Sequence, residues 1–203
     1  MPVSRLLIFT SLGLAILAGY LYLSLTKPVF NFSPKQSSQQ DLRSKVDKAV
    51  LAKFDYLSRN GNSSCAASFR DSISSMADNA RLQGSCCSPM SLHRYSEQVE
   101  VIKKYKDIPE IPQDPYDIEA GLAKRLMGYY DSIQLTADEQ KAYDYAMANS
   151  DEKGPCCCKC WRWNAYGGLG KYLIKNYKFT GQQVTDVWNL SDGCGGDSEH
   201  HHA

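Results

Sequence analysis

The stretch GPCCCKCWRW, residues 154–163, carries four of the eight cysteines of this 203-residue chain. Thiols at that density hold a metal ion, exchange disulfides, or staple a small domain. Cys156, Cys158 and Cys160 alternate, and Cys157 with Cys160 makes a C-x-x-C pair, so two or three sulfurs can converge on one ion from a short loop. A second cluster, GSCCSPM at 84–90, brings Cys86 and Cys87. Cys194, in SDGCGG near the C-terminus, is placed to close a site from a glycine-flanked turn. Soft sulfur ligands suit Cu(I) or Zn(II) and suit Mg(II) or Ca(II) badly. The expected metal ligands are therefore Cys156, Cys157, Cys158, Cys160, Cys86, Cys87 and Cys194, with Cu(I) the first expectation and Zn(II) the second.

Both clusters precede apolar patterns of helical period, which puts their thiols in a loop or a first helical turn. There, unpaired backbone N–H groups and the positive end of the helix dipole stabilise thiolate, the form that ligates metal or attacks a disulfide. Lys153, Lys159 and Arg162 act in the same direction. Two rival readings stand beside the metal. Eight cysteines could make four bridges in a disulfide-stapled scaffold, although adjacent cysteines such as Cys86-Cys87 point in divergent directions and seldom all pair with good geometry. A thiol-disulfide oxidoreductase would use Cys157 and Cys160.

Other residues carry weaker signals. Cys65 shares a stripe with Phe69 and Ile73 and reads as a small buried hydrophobe or a disulfide partner. Met90 could add a thioether, and His93 follows the Cys86-Cys87 pair closely enough to coordinate, although a lone histidine is more often a surface group. Trp161, Trp163 and Trp188 read as core or rim aromatics, with a Trp face over a bound cation as the alternative. The tail SEHHHA offers imidazoles on a chain end. The cysteine spacing fits neither common ferredoxin pattern and there is no C-x-x-C-H haem attachment. No phosphate-binding loop, G-x-S-x-G elbow or H-E-x-x-H helix occurs. Lys and Arg number 23 against 22 Asp and Glu and are interspersed, so no nucleic-acid partner is expected. The chain shows cysteines and no assembled acid–base pair, so the expected role is delivery or sequestration rather than enzymatic turnover, with a metal-donor or metal-acceptor protein as the partner.

The elements that must position these thiols read as helices. Leu42, Val46, Val50, Phe54 and Leu57 make one apolar stripe, stopped by Gly61. Cys65, Phe69, Ile73, Met76 and Ala80 suggest a second helix, capped by Ser63 or Ser64 and ended at Gly84. A third opens at Ser88-Pro89 with Leu92, Tyr95, Val99 and Ile102. Residues 108–117 hold three prolines and cannot be regular helix. Asp114-Pro115 restarts the pattern through Ile118, Leu122, Leu126, Tyr129 and Ile133. Thr136 with Glu139 and Thr180 with Gln183 are capping boxes. Residues 161–177 continue the period despite Gly167, Gly168 and Gly170. No window shows sustained strand alternation. The expectation is an all-α domain of six or seven short helices.

Residues 6–25 are different in kind: twenty residues without a charge, enough to cross a hydrocarbon core. The expected division is a membrane anchor or signal-anchor at 1–26, a polar tether at 27–40, a Cys-rich helical domain at 41–196 and a His-containing tail at 197–203. Charges on the two flanks, Arg5 against Lys27, Lys35 and Arg43, do not fix the orientation. A short basic tail before the apolar run has the form of a secretory signal, so the main domain is expected outside the cytoplasm.

Residues 155–160, Pro-Cys-Cys-Cys-Lys-Cys, fit P-C-x-C-x-C and resemble the motif of the PCYCGC-motif proteins, small exported or lipid-anchored bacterial proteins. The segment TGQQVTDVW at 180–188 is similar in style to that family's C-terminal helix. Cys157 stands where the family has an aromatic, Lys159 where it has glycine, and the 84–90 cluster has no counterpart. The resemblance implies metal handling and carries over to Cys156, Cys158 and Cys160, while Cys157 and Cys194 rest on spacing alone.

Overall fold

The computed structural model describes residues 41–196. Within them the chain is mostly helical: α1 (Lys48–Asn60), α2 (Ala67–Ile73), β1 (Arg81–Gln83), α3 (Leu92–Val101) continued by a 3-10 turn (Ile102–Tyr105), β2 (Asp117–Glu119), α4 (Ala120–Ser132), α5 (Ala137–Asn149), α6 (Trp161–Tyr177) and α7 (Gly181–Ser191). Among the described residues no helix is long and apolar enough to cross a membrane. The expected anchor, tether and histidine tail lie outside them.

The apolar stripes become two cores. The larger gathers Ile73, Leu82, Ile118, Leu126, Trp161, Leu169, Leu173, Val184 and Trp188, and it includes Cys156, Cys160 and Cys194. The smaller joins α1 to α3 through Phe54, Leu57, Leu92, Tyr95 and Tyr116. Helix α6 is the spine, buried along most of its length and packed against α4, while α5 packs against α7.

Glycines in α6 permit its close approach to α4. A Cβ at Gly168 would lie 1.9 Å from the Leu126 carbonyl oxygen, a main-chain atom that no rotamer change can move. Gly168→Ala is therefore expected to destabilise the fold by about 1–3 kcal/mol, the usual cost of overpacking. A urea-unfolding midpoint unchanged from the parent would show that α4 and α6 slide apart freely.

Both capping boxes form, with Thr136 opening α5 and Thr180 opening α7. Other boundaries differ from the periodic reading. The first stripe breaks at Asp47, whose carboxylate accepts the N–H groups of Ala49 and Val50 and starts α1 afresh. The second helix ends at Ile73, because Ser72, Ser74 and Ser75 turn their hydroxyls back onto the carbonyls of Phe69, Asp71 and Ser72. Met76 and Ala80 still pack on the core from the turns that follow. The third helix is capped by Ser91, whose hydroxyl accepts the Arg94 N–H, rather than by Ser88. Asp114 closes an Asx turn onto the Tyr116 N–H instead of opening a helix.

Two short strands add to the helices. β1 and β2 pair antiparallel, Leu82 opposite Ile118. At three residues each they are too short to show alternation in sequence. Asp117 on β2 is bonded by Arg81 (2.8 Å) and by Lys53 of α1, tying the smaller core to the strands.

Candidate metal centre

Four separate pieces of chain bring all eight cysteines together. Cys65 stands just before α2, Cys86 and Cys87 in the loop after β1, Cys156, Cys157, Cys158 and Cys160 in the loop before α6, and Cys194 just after α7.

Each piece is held by ordinary backbone chemistry. The 86–89 and 193–196 segments lie side by side: Cys86 N–H donates to the Gly193 carbonyl (3.3 Å), Cys87 and Ser88 N–H to that of Cys194 (3.2 and 2.9 Å), and Gly196 N–H to that of Pro89 (2.8 Å). Gly195 makes this approach possible. Its φ is +84°, and a Cβ there would lie 2.1 Å from the Ser88 carbonyl oxygen. Asp192, buried and paired with Arg94 of α3 at 2.6 Å, accepts the Cys194 N–H at 3.1 Å and so anchors that turn. The 156–160 loop springs from a buried Ser150, whose hydroxyl donates to the Gly154 carbonyl and accepts the Gly154 N–H. It ends in a tight turn, Cys160 N–H to the Cys158 carbonyl at 2.8 Å, with Cys160 in the N-cap position of α6.

The sulfurs form one connected group. Cys65 Sγ is 3.0 Å from Cys87 and 3.2 Å from Cys158. Cys87 is 3.3 Å from Cys157, and Cys157 is 2.7 Å from Cys194. Cys194 is 3.3 Å from Cys156, and Cys156 is 3.9 Å from Cys160. Cys86 is 3.7 Å from Cys87. All eight are free cysteines. Sets of three that converge closely enough to hold an ion include Cys65-Cys158-Cys160, Cys65-Cys86-Cys87, Cys86-Cys156-Cys194, Cys87-Cys157-Cys194 and Cys156-Cys157-Cys158. The cluster has an inside and an outside, since Cys156, Cys160 and Cys194 are buried while Cys87 and Cys157 are exposed. Over the exposed side, residues 85–89 line an open depression of about 300 Å³.

The seven predicted ligands all belong to this group. Cys65 joins them as well, which its reading as a core residue or bridge partner did not include. It packs against the larger core with its stripe neighbours Phe69 and Ile73, and that periodicity concealed its second role beside the sulfurs. Met90 instead packs in the smaller core, and its sulfur accepts the Ser58 hydroxyl at 3.8 Å. His93 is exposed and belongs to none of the converging sets. Trp161 and Trp163 face side-chain cations, Arg162 at 4.7 Å and Lys159 at 5.7 Å. Cys157 and Cys160 share no set, which leaves the C-x-x-C pairing without support.

The electrostatics are those of crowded thiols. Contact with Cys156 pulls Cys158 down to about 6 and holds Cys86 and Cys157 well below the ordinary thiol range. Burial pushes Cys65 up, and Cys157 pushes up both Cys87 and Cys156. Cys160 stands at about 12: contact with Cys156 favours its ionised form, but Cys86 and burial outweigh that. The contacts thus favour the ionised form at Cys86, Cys157 and Cys158 and the protonated form at the other five. A cation that draws all of them into coordination must displace the remaining protons.

One buried cation faces the group. Arg162 is fully buried, and its guanidinium donates to the carbonyls of Pro115 (2.6 Å) and Gly84 (3.1 Å), while Nε has no partner. Burial disfavours its charge, yet the Tyr166 phenol and the sulfurs of Cys86, Cys156 and Cys194 hold it above the ordinary arginine range. Both hydrogen-bond acceptors are neutral carbonyls, and of these three sulfurs Cys86 is the one held toward its anionic form. The helix dipole plays a smaller part than the sequence suggests. Only Cys160 sits at a helix start, whereas α3 opens at Leu92, well past Cys86 and Cys87.

Comparison of the chain with known protein families, with curated proteins and with solved structures found no match.

Proposed function

We propose that this chain is a membrane-anchored, extracytoplasmic thiolate protein that binds soft metal, with Cu(I) as its cargo, and that it stores or hands on the ion rather than catalysing a reaction. One observation carries the reading: eight free thiols from four distant chain segments meet at sulfur–sulfur distances of 2.7–3.9 Å around a buried arginine. A disulfide scaffold needs four isolated pairs. Here Cys87 alone lies within 3.8 Å of four other sulfurs.

Coordination number favours copper over zinc. Structural zinc takes four ligands in a tetrahedron, whereas each converging set among the described residues holds three. Three soft thiolates suit Cu(I), which accepts trigonal sulfur coordination. The exposed Cys87 and Cys157 provide an edge at which a donor or acceptor protein can exchange ligands one at a time. The anchor reading rests on the uncharged run at 6–25.

Elemental analysis of protein purified anaerobically from copper-supplemented cells tests the proposal. Copper is expected to co-purify and to resist a large excess of Zn(II). Protein that carries zinc and ignores copper, or that carries no metal, contradicts it.

A further inference from the structure

We infer that the cluster holds several Cu(I) ions at once, joined through sulfurs that each bridge two ions. This rests on the copper reading above and extends it from an ion site to a polynuclear centre.

The sharing of sulfurs carries the inference. Of the eight cysteines, at least seven belong to two or more triads. Separate mononuclear sites would use each sulfur once, and eight sulfurs would then complete two triads at most. A thiolate has lone pairs for two metal ions, so a sulfur common to two triads is a bridge between them. The triads link through such bridges into one network: Cys65 joins the first to the second, Cys86 the second to the third, Cys194 the third to the fourth and Cys157 the fourth to the fifth. Cys158 closes it by joining the fifth to the first. With Cys87 and Cys156 as further links, the triads form one cross-connected network.

Charge points to a monovalent ion. Four divalent ions would neutralise eight thiolates and leave the buried guanidinium beside them uncompensated. Four monovalent ions leave the cluster anionic, which suits the charge of Arg162, fully buried with its Nε unpaired. The binding step is ligand exchange without redox change: copper supplied as Cu(I) on a weak chelator leaves that chelator, sulfur–copper bonds form, and each thiol that enters coordination releases its proton to solvent.

The test is an anaerobic titration of the fully reduced chain with chelated Cu(I), read by bound copper per chain, by the emission of solvent-shielded copper–thiolate clusters, and by X-ray absorption of the loaded protein. The expected result is uptake of three or more ions per chain, emission that grows with loading, and a short copper–copper scattering path beside the copper–sulfur shell. Cys194→Ser, which takes its sulfur from more triads than Cys160→Ser does, is expected to lower capacity more. Saturation at one or two ions without a copper–copper path overturns the polynuclear inference and leaves the copper reading standing. No uptake overturns both.

Discussion

Replacing Arg162 by methionine is expected to weaken Cu(I) binding by on the order of a hundredfold to a thousandfold while leaving the metal-free helical domain folded. The guanidinium is wholly buried, and the turn above it is close enough that a Cβ on Gly193 would meet Nη1 at 2.3 Å. Removing one partner of a buried charge pair costs roughly 3–5 kcal/mol because the other is left uncompensated. In the metal-free chain the sulfurs can answer by retaining protons, and a methionine fills the vacated space. The loaded cluster has no such escape, so the penalty falls on the bound form. Arg162→Lys keeps the charge and loses the fork that spans the Pro115 and Gly84 carbonyls, so it should fall between the two. Competition against a chromophoric Cu(I) chelator, beside urea unfolding with and without copper, reads both quantities. Equal copper affinity in parent and Arg162→Met would show that the sulfurs do not depend on this charge.

The second large effect is expected from changing Cys156, Cys158 and Cys160 to serine together. Five thiols survive, Cys65, Cys86, Cys87, Cys157 and Cys194, so capacity should fall without being lost. The ions that remain lie toward the exposed side and should exchange faster with a soluble chelator. Serine is close to cysteine in size, but Cys156 and Cys160 are buried, so some loss of stability accompanies the change. Circular dichroism separates that loss from unfolding. Undiminished copper capacity in a folded triple variant would remove the 156–160 loop from the site.

The legible parts of the sequence were those decided over a few residues. Thr136 with Glu139 and Thr180 with Gln183 announce α5 and α7 because a capping box is complete within one turn. The triple proline at 108–117 excludes helix for an equally local reason. A cysteine cluster able to hold a metal was legible from cysteine density alone, and the seven expected ligands meet in one cluster. Long-range geometry was hidden. Cys65 lies in a pattern of apolar spacing, and only the tertiary fold brings its sulfur to Cys87 as well. Ser88-Pro89 has the form of a helix start but belongs to the loop that pairs with 193–196, and Ser91 takes the cap. Arg162 looks like a surface base raising thiolate character at a helix start. Its burial beside the sulfurs of Cys86, Cys156 and Cys194 depends on α6 being the spine of the core.

The account stands most directly on whether the thiols are free together and are taken up together by copper. The measurement is the reaction of native, anaerobically purified protein with a chromogenic disulfide reagent, before and after Cu(I) is added. Before copper, exposed Cys87 and Cys157 should react in a fast phase and the remainder more slowly, eight in all under denaturant. After saturation with copper both native phases should disappear. A protein with no titratable thiols because all eight are bridged, or one whose fast phase persists under excess copper, contradicts it.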